Sequence, residues 1–314
     1  VWITIGIVIF VIVIACAFYI LYRRTTSAWP KPKKRAAAKR PHPENWGREG
    51  LYVTWIGHST VLLQIDGIRI LTDPVFSRRV GVRILGLTIG PKRHVDPALA
   101  PSACTPVDVV VLSHAHMDHL DHPSLRKVIS SNTVVVTPQG TGWLVRRHHP
   151  LCIHELAPSE SVSLDCGLEI TAQAVRHWGS RYPWNQHMGY QGYIIRRHAW
   201  SVFFAGDTAR TDFTAVRNFK PQLAFIPIGA YAPHPFENAH CTPEQAWDMF
   251  VETQAQRLLP IHHDTFVLSQ EPVDEPMRRL LAAASSQEQV WRGSHGTTYY
   301  ARQPADIREN QTID

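Results

Sequence analysis

The residues best suited to chemistry lie in one short string, Ser113-His114-Ala-His116-Met-Asp118-His119-Leu-Asp121-His122. Four potential metal ligands fall between His114 and His119, directly after the apolar run Val107–Leu112. Side chains alternate along an extended segment, so His114 and His116 project the same way and can share one ion. A turn into a following helix then brings Asp118 and His119 round to a second ion. Imidazole and carboxylate together suit zinc, with iron or manganese as rarer occupants. The chain holds 18 histidines, and chance placement at a strand end is a poor account of an H-x-H-x-D-H spacing.

These four do not complete two hydrolytic sites, and three later segments offer the remainder. Ala172-Gln-Ala-Val-Arg-His177 ends an alternating run on histidine. Val202-Phe-Phe-Ala-Gly-Asp207 places a carboxylate after an apolar strand and a glycine, a position suited to bridging two ions. Leu258-Leu-Pro-Ile-His262-His263 ends a third run on histidine. Each alone is unremarkable, since a lone histidine at a strand end is more often structural than a ligand. In combination with the first cluster, the order His/His, Asp/His, His, Asp, His is specific.

The elements that must deliver these side chains are mostly short strands. Leu51–Ile56, Val61–Ile65 and Ile68–Leu71 form an expected meander, with Asp66-Gly67 as a turn. Val107–Leu112 is apolar throughout, as in a strand buried on both faces. Strands are also expected at Thr133–Thr137, Leu168–Val175, Tyr190–Arg197, Trp200–Ala205 and Leu223–Ile228. One helix follows His122-Pro123 and another covers Glu275–Ala284. The clearest begins at Thr242-Pro243-Glu244-Gln245, where Thr242 can cap, Pro243 occupies the first helical position and Gln245 completes a capping box. Interleaved strands and helices indicate an α/β fold with the sheets inside the helices.

Ahead of this domain, residues 1–22 carry no charge and no proline. As a helix they would span about 33 Å, close to the hydrocarbon thickness of a bilayer. Trp2 near one end and Tyr19 and Tyr22 near the other suit the two interfaces. The competing reading is a cleaved signal peptide, but the run is long and no clear small-residue cleavage site follows it. The chain opens on Val rather than Met, which leaves an initiator or a few preceding residues unaccounted for. Residues 23–50 form a basic, proline-containing tether, and residues 51–314 the catalytic domain. The basic collar sets a single-pass topology with the N-terminus outside and the catalytic domain cytoplasmic.

The chain has a formal charge of +6, but eight cations and no acids lie between Tyr22 and Pro41. Removing them leaves roughly −2 for residues 41–314, which argues against a nucleic-acid partner. The five cysteines contain no C-x-x-C pair, so neither a disulfide framework nor a thiolate zinc site is expected.

With these motifs in place, the chain resembles the metallo-β-lactamase superfamily. Within it, the chain is similar to the N-acyl-phosphatidylethanolamine-hydrolysing phospholipase D group and its bacterial relatives. The stretches that carry the resemblance are TWIGHST (54–60), LTDPVFS (71–77), GPKR (90–93), LSHAHMDHLD (112–121), FFAGDT (203–208), LAFIPIGAY (223–231), HCTPEQA (240–246) and PIHHDTF (260–266). They span residues 50–270; the H-x-H-x-D-H motif alone marks only the superfamily. The resemblance implies an αββα sandwich, here preceded by one transmembrane helix, and two Zn²⁺ per chain.

By position, the resemblance implies that His114, His116 and His177 hold the first ion, Asp118, His119 and His262 the second, with Asp207 bridging. His263 stands where relatives often carry Trp. Asp118 and His240 are the implied catalytic residues, and His58 and Asp73 are expected to orient the ligands. Two zinc ions about 3.5–4 Å apart would lower the pKa of a shared water toward about 7, giving a hydroxide that attacks the substrate. The implied reaction is phosphodiester cleavage of N-acyl phosphatidylethanolamine-like lipids, with membrane lipid as both substrate and anchor. The alternative is a lactonase or ester hydrolase acting on a soluble, phosphorylated sugar-like compound. A non-catalytic membrane scaffold would have lost ligand positions, and every one is filled. Relatives also form homodimers, which no pattern in this chain demands. Trp178, Tyr182, Pro183, Trp184, His187 and Met188 form an aromatic-rich loop that would line an acyl groove or pack as an ordinary lid.

Overall fold

The computed structural model describes residues 2–25, 27–182, 184–185, 187–309 and 312–313. Val1, Pro183 and Asp314 lie outside the described residues, as do the side chains of Tyr22 and Arg23. Helix α1 (Trp2–Thr25) leads into an irregular segment. The first half of the domain holds β1 (Leu51–Gly57), β2 (Thr60–Ile65), β3 (Ile68–Thr72), β4 (Val82–Ile84), β5 (Leu87–Ile89), α2 (Pro101–Cys104) and β6 (Val109–Val111). Then come α3 (His122–Val128), β7 (Val134–Pro138), α4 (Gly142–Val145) and β8 (Cys152–Leu156). The second half has β9 (Ser161–Ser163), β10 (Glu169–Gln173), β11 (Gly192–Arg197), β12 (Trp200–Phe204), β13 (Leu223–Pro227), α5 (Pro243–Thr253), β14 (Arg257–Ile261), α6 (Glu275–Ala283), β15 (Thr298–Ala301) and β16 (Thr312–Ile313).

The strands build two large sheets. One runs β16-β15-β1-β2-β3-β6-β7-β8 and the other β14-β13-β12-β11-β10-β9. The alternating faces of each strand divide cleanly between layers. Val53 and Trp55 of β1 meet Ile195 of β11 and Val202 and Phe204 of β12 in a core between the sheets. Their neighbours point outward: Ile56 and Leu62 pack on Leu125 and Val128 of α3, while Phe203 and Ala224 pack under Trp247 and Phe250 of α5. The result is the expected four-layer α-β-β-α sandwich. Burying one large apolar side chain fully contributes about 1.5–3 kcal/mol, so this core is the main source of stability.

Expected and observed elements agree to within a few residues, with instructive differences. The strand expected over Val107–Leu112 forms over Val109–Val111, and the backbones of Asp108 and Leu112 on either side still bond to Arg69, Val134 and Val136. The capping box of α5 is formed, with Gln245 donating its amide to Thr242 and its side chain accepting from the Thr242 amide. The β4–β5 hairpin, β8, β9, β15 and β16 were not expected, since their short runs mix polar and apolar residues.

Residues 23–50 are not a free spacer. From Arg35 onward they are bound to the domain: the Arg35 amide donates to His94, its guanidinium pairs with Asp264, and the Lys39 amide donates to His295. Pro41 and Pro43 are buried and Trp46 stacks on Tyr52, so prolines that suggested extension serve instead as packing surface.

The strands around the site, β3, β6, β12, β13 and β14, end on the same rim. Pairs β3–β6, β12–β13 and β13–β14 are parallel, so their C-terminal ends are brought together. Such ends are where open α/β sheets place their sites.

Candidate metal centre

Each strand end delivers one part of the centre. His114, His116, Asp118 and His119 follow β6, Asp73 follows β3, His177 lies beyond β10, Asp207 beyond β12, and His262 directly after β14. Turns at these ends need unusual backbone: Asp73 and His262 both adopt positive φ, at 32° and 58°. Gly206 does so too (φ 64°), and a Cβ there would lie 2.5 Å from the Ser113 Cβ. Glycine is therefore required before Asp207 on both conformational and steric grounds.

The side chains converge as two groups. The ring nitrogens of His114, His116 and His177 lie within 4.8 Å of one another, and so do ligand atoms of His58, Asp118, His119 and His262. Asp207 stands between them. Its Oδ2 is 3.1 Å from His119 Nε2, 3.0 Å from His262 Nε2, 3.9 Å from His177 Nε2 and 4.0 Å from His114 Nε2. All seven expected ligand positions are thus brought together. His263 is directed elsewhere, stacking on Trp55 at 4.7 Å.

The outer nitrogens fix the tautomers. His119 Nδ1 lies 2.6 Å from Asp73 Oδ2 and donates to it, leaving Nε2 as a lone pair facing Asp207. Ser113 Oγ donates to the same carboxylate, so it accepts from His114 Nδ1 at 2.8 Å and frees His114 Nε2. His177 Nδ1 donates to the Ala239 carbonyl at 2.9 Å. His116 turns its Nδ1 inward, 2.8 Å from His114 Nε2. His58 Nε2 sits 3.0 Å from Asp118 Oδ2 and fixes that carboxylate.

This donor set fits divalent cations. His119 Nε2, His262 Nε2, Asp207 Oδ1 and His240 Nδ1 are buried with no hydrogen-bond partner. The contacts of His119 and His262 to Asp207 are short enough for hydrogen bonds but wrongly directed, as when lone pairs aim at a common point. Burial alone would push the Asp207 and Asp118 carboxyls up, yet the surrounding histidines hold both well below the usual range. Burial likewise lowers His119, but Asp207, Asp118 and Asp73 outweigh it and raise the ring's pKa. Burial drives His114 and His177 well below the ordinary histidine value, as neutral ligands require. The buried carboxylates of Asp207 and Asp118 draw positive charge toward them, raising His262 to about 9 as well as His119, and a bound cation would supply that charge in place of the ring protons.

His240 lies at the entrance to α5, its Nδ1 3.8 Å from Asp207 Oδ2, and burial lowers its pKa to about 4. With His116, Asp118 and Asp207 it opens on a cavity of about 430 Å³ whose other walls include Trp178, Phe236 and Leu268. Of the aromatic loop, Trp178 packs against His116 and His177 beside this cavity, Tyr182 stacks on Trp184, and Met188 is core. The loop is therefore partly wall and partly packing.

The match of this architecture to known proteins is decided by a family model described as "Beta-lactamase superfamily domain", which covers residues 68–263. The chain belongs to the metallo-β-lactamase superfamily. An uncharacterized protein of Mycobacterium tuberculosis is 34% identical over 74% of this chain and 64% of its own length. This chain therefore spans just under two thirds of that relative. The N-acyl-phosphatidylethanolamine-hydrolyzing phospholipase D 1 of Caenorhabditis elegans is 28% identical over 77% of this chain and 72% of its own. Among solved structures, a possible metal-dependent hydrolase from Veillonella parvula shares the fold with a TM-score of 0.66, covering 81% of this chain and 100% of that one, at 18% identity.

Sequence reasoning missed three residues that brace the centre. Ser113 links His114 to Asp73. Arg181 donates to the carbonyls of Ala115 and Leu120, clamping the ligand loop from both sides. Arg93, within the GPKR stretch, is buried over Phe266 and donates to the carbonyls of Val75 and Ser77. A buried arginine in a motif was a usable signal; the other two carry no local pattern.

Proposed function

We propose that this chain is a binuclear-metal-dependent phosphodiesterase of the phospholipase D type, acting on N-acyl phosphatidylethanolamine-like lipids. The observation that carries the reading is the convergence of Asp207 Oδ2 with four ligand histidines, beside a cavity whose far wall is apolar. In this reading His114, His116 and His177 would hold one ion and Asp118, His119 and His262 the other, with Asp207 placed between the two groups. Zinc suits this mixed imidazole and carboxylate set. Bound ions of this kind supply an acidified water and polarise the scissile group.

The chain's own residues do the rest. Asp118, held at Oδ2 by His58, takes up a proton and passes it on. His240 donates a ring N–H to an oxygen on which charge grows. Trp178, Phe236 and Leu268 exclude water around an apolar chain. Cleavage adds water across the phosphodiester, leaving a phosphatidic acid and a released alcohol. Helix α1, of bilayer length and exposed throughout its apolar window, supports a single-pass anchor that presents the enzyme to its lipid from the cytoplasmic side.

The test is metal analysis of the purified chain coupled to hydrolysis of two panels, N-acyl phospholipids and phosphorylated sugar lactones. Metal-dependent turnover of the lipids supports the reading. Turnover confined to the lactones refutes it and leaves a soluble-substrate lactonase.

A further inference from the structure

The hairpin β4–β5 is built in a way that water alone does not favour. Its strands pair Val82 with Ile89 and Ile84 with Leu87, and they form a two-stranded sheet of their own. An isolated hairpin is marginally stable in water unless a surface covers an apolar face. Here the apolar side chains are uncovered: Leu85 is 98% exposed, Leu87 73% and Ile89 62%. The tight turn places Leu85 at φ 47° and Gly86 at φ 83°, where Asn-Gly would be usual. A leucine in that position puts a large apolar side chain at the tip despite the backbone cost.

Behind the hairpin lies a cationic cavity of about 740 Å³, shared between the hairpin, α3 and the turn after α4. Arg83, Arg126, Arg147 and Arg181 line it with His122 and His148. Among the described residues Arg83, Arg126 and Arg147 form no ion pair, Arg181 is engaged by the carbonyls of Ala115 and Leu120, and the one acid in the lining, Asp121, is occupied by Ser77 and Ser124. Exposed Trp143 stands on the same rim. An apolar tip ahead of unpaired arginines matches the depth profile of an anionic bilayer, with acyl chains inside and phosphate outside.

Chain length points to the same partner. Residues 26–34 join α1 to Arg35, which is hydrogen-bonded to His94 and Asp96. Nine residues reach about 30 Å at most. Residues 91–93, which lead into that docking point, are hydrogen-bonded to residues 78–80 at the base of the hairpin. The hairpin therefore rises from the part of the domain held nearest to α1.

We propose that the β4–β5 hairpin inserts its tip into an anionic phospholipid bilayer while Arg83, Arg126 and Arg147 bind lipid phosphates, fixing the domain face-down beside its metal centre. The proposal rests on α1 being a membrane span but not on which substrate is cleaved. Hydrogen exchange of the full-length chain tests it in three settings: detergent, nanodiscs of phosphatidylcholine alone, and nanodiscs containing phosphatidylserine. The expected result is exchange over residues 82–89 at least about tenfold slower in the anionic discs than in the other two. The paired changes Leu85→Ser with Leu87→Ser, and Arg83→Glu with Arg147→Glu, should each abolish that slowing.

Equal exchange in all three settings overturns the proposal, and so does equal protection by neutral and anionic discs. Protection in detergent that grows with protein concentration overturns it in favour of a second copy of the chain covering the hairpin. Exchange over α1 is read in the same samples. Rapid exchange there in both discs refutes the span, whereas a protected α1 beside an unprotected hairpin refutes the docking alone.

Discussion

Asp73 Oδ2 lies 2.6 Å from His119 Nδ1 and 2.6 Å from Ser113 Oγ, so a carboxylate outside the seven candidate ligands holds one of them directly and a second, His114, through Ser113. Through Ser113 it reaches His114, and through His119 it faces the opposite group. Asp73 is itself fully buried and accepts from the Ser113 amide at 2.7 Å. Replacing Asp73 by Asn removes the negative charge and lets the amide turn its NH₂ toward His119. The expected outcome is a 10- to 100-fold loss, approximately, in metal affinity or turnover with the fold retained. Chelator competition and steady-state rates measure it; unchanged values for both would remove Asp73 from the positioning role.

Metal removal should be visible in stability as well as rate. Ligand present at about 100 times its dissociation constant stabilises the folded state by about 2.7 kcal/mol. For a domain of this size that corresponds to a fall of roughly 5–10 °C in Tm when the metal is stripped. Thermal scans before and after dialysis against a chelator measure it, with restoration by added zinc as the control. Asp207→Ala should reduce that metal-dependent increment, since Asp207 stands between both groups.

Gly206 offers a steric test of the same network. Alanine there would carry a side chain at φ 64° and push its Cβ against Ser113. Left-handed backbone alone costs an L-residue about 1–2 kcal/mol. Gly206→Ala should therefore lower stability by at least that amount and lower turnover more than its effect on Tm suggests. Denaturant unfolding and rate measurements on one preparation separate the two effects; wild-type rates in the variant would contradict the close approach.

The candidate centre was legible in the sequence because several of its residues directly follow apolar strands, where local pattern and chemistry coincide. His114, Asp207 and His262 each follow such a run, and the order of residues carried the rest. What brings them together is the parallel pairing of β3 with β6 and of β12, β13 and β14, which is long-range and has no local signature. The choice of His262 over His263 depended on resemblance; the structure accounts for it through the stacking of His263 on Trp55. The tether was misjudged because prolines and lysines read as solvated chain, whereas Arg35 finds Asp264 and Trp46 finds Tyr52 only after folding. The exposed hairpin escaped for the opposite reason: its apolar residues signal burial in a sequence, and here they have none.

The cationic cavity makes an acid-sensitive region distinct from the ligands. His122 Nδ1 and His148 Nε2 lie 3.0 Å apart. Burial, then the charges of Arg181, Arg147 and Arg126, lower His122 to about 3; burial, then Arg147, Arg126 and His149, lower His148 to about 4. In the unfolded chain both would titrate near about 6.5. Below that pH the unfolded state binds protons that the folded state refuses, so stability falls as pH drops from about 6.5 toward 4. Replacing both histidines with glutamine should flatten this part of the stability profile while leaving stability at neutral pH nearly unchanged. Urea unfolding at a series of pH values, on metal-free protein so that ligand protonation is common to both forms, measures the slopes. Parallel slopes for the two proteins would show that the pair does not feel the surrounding arginines.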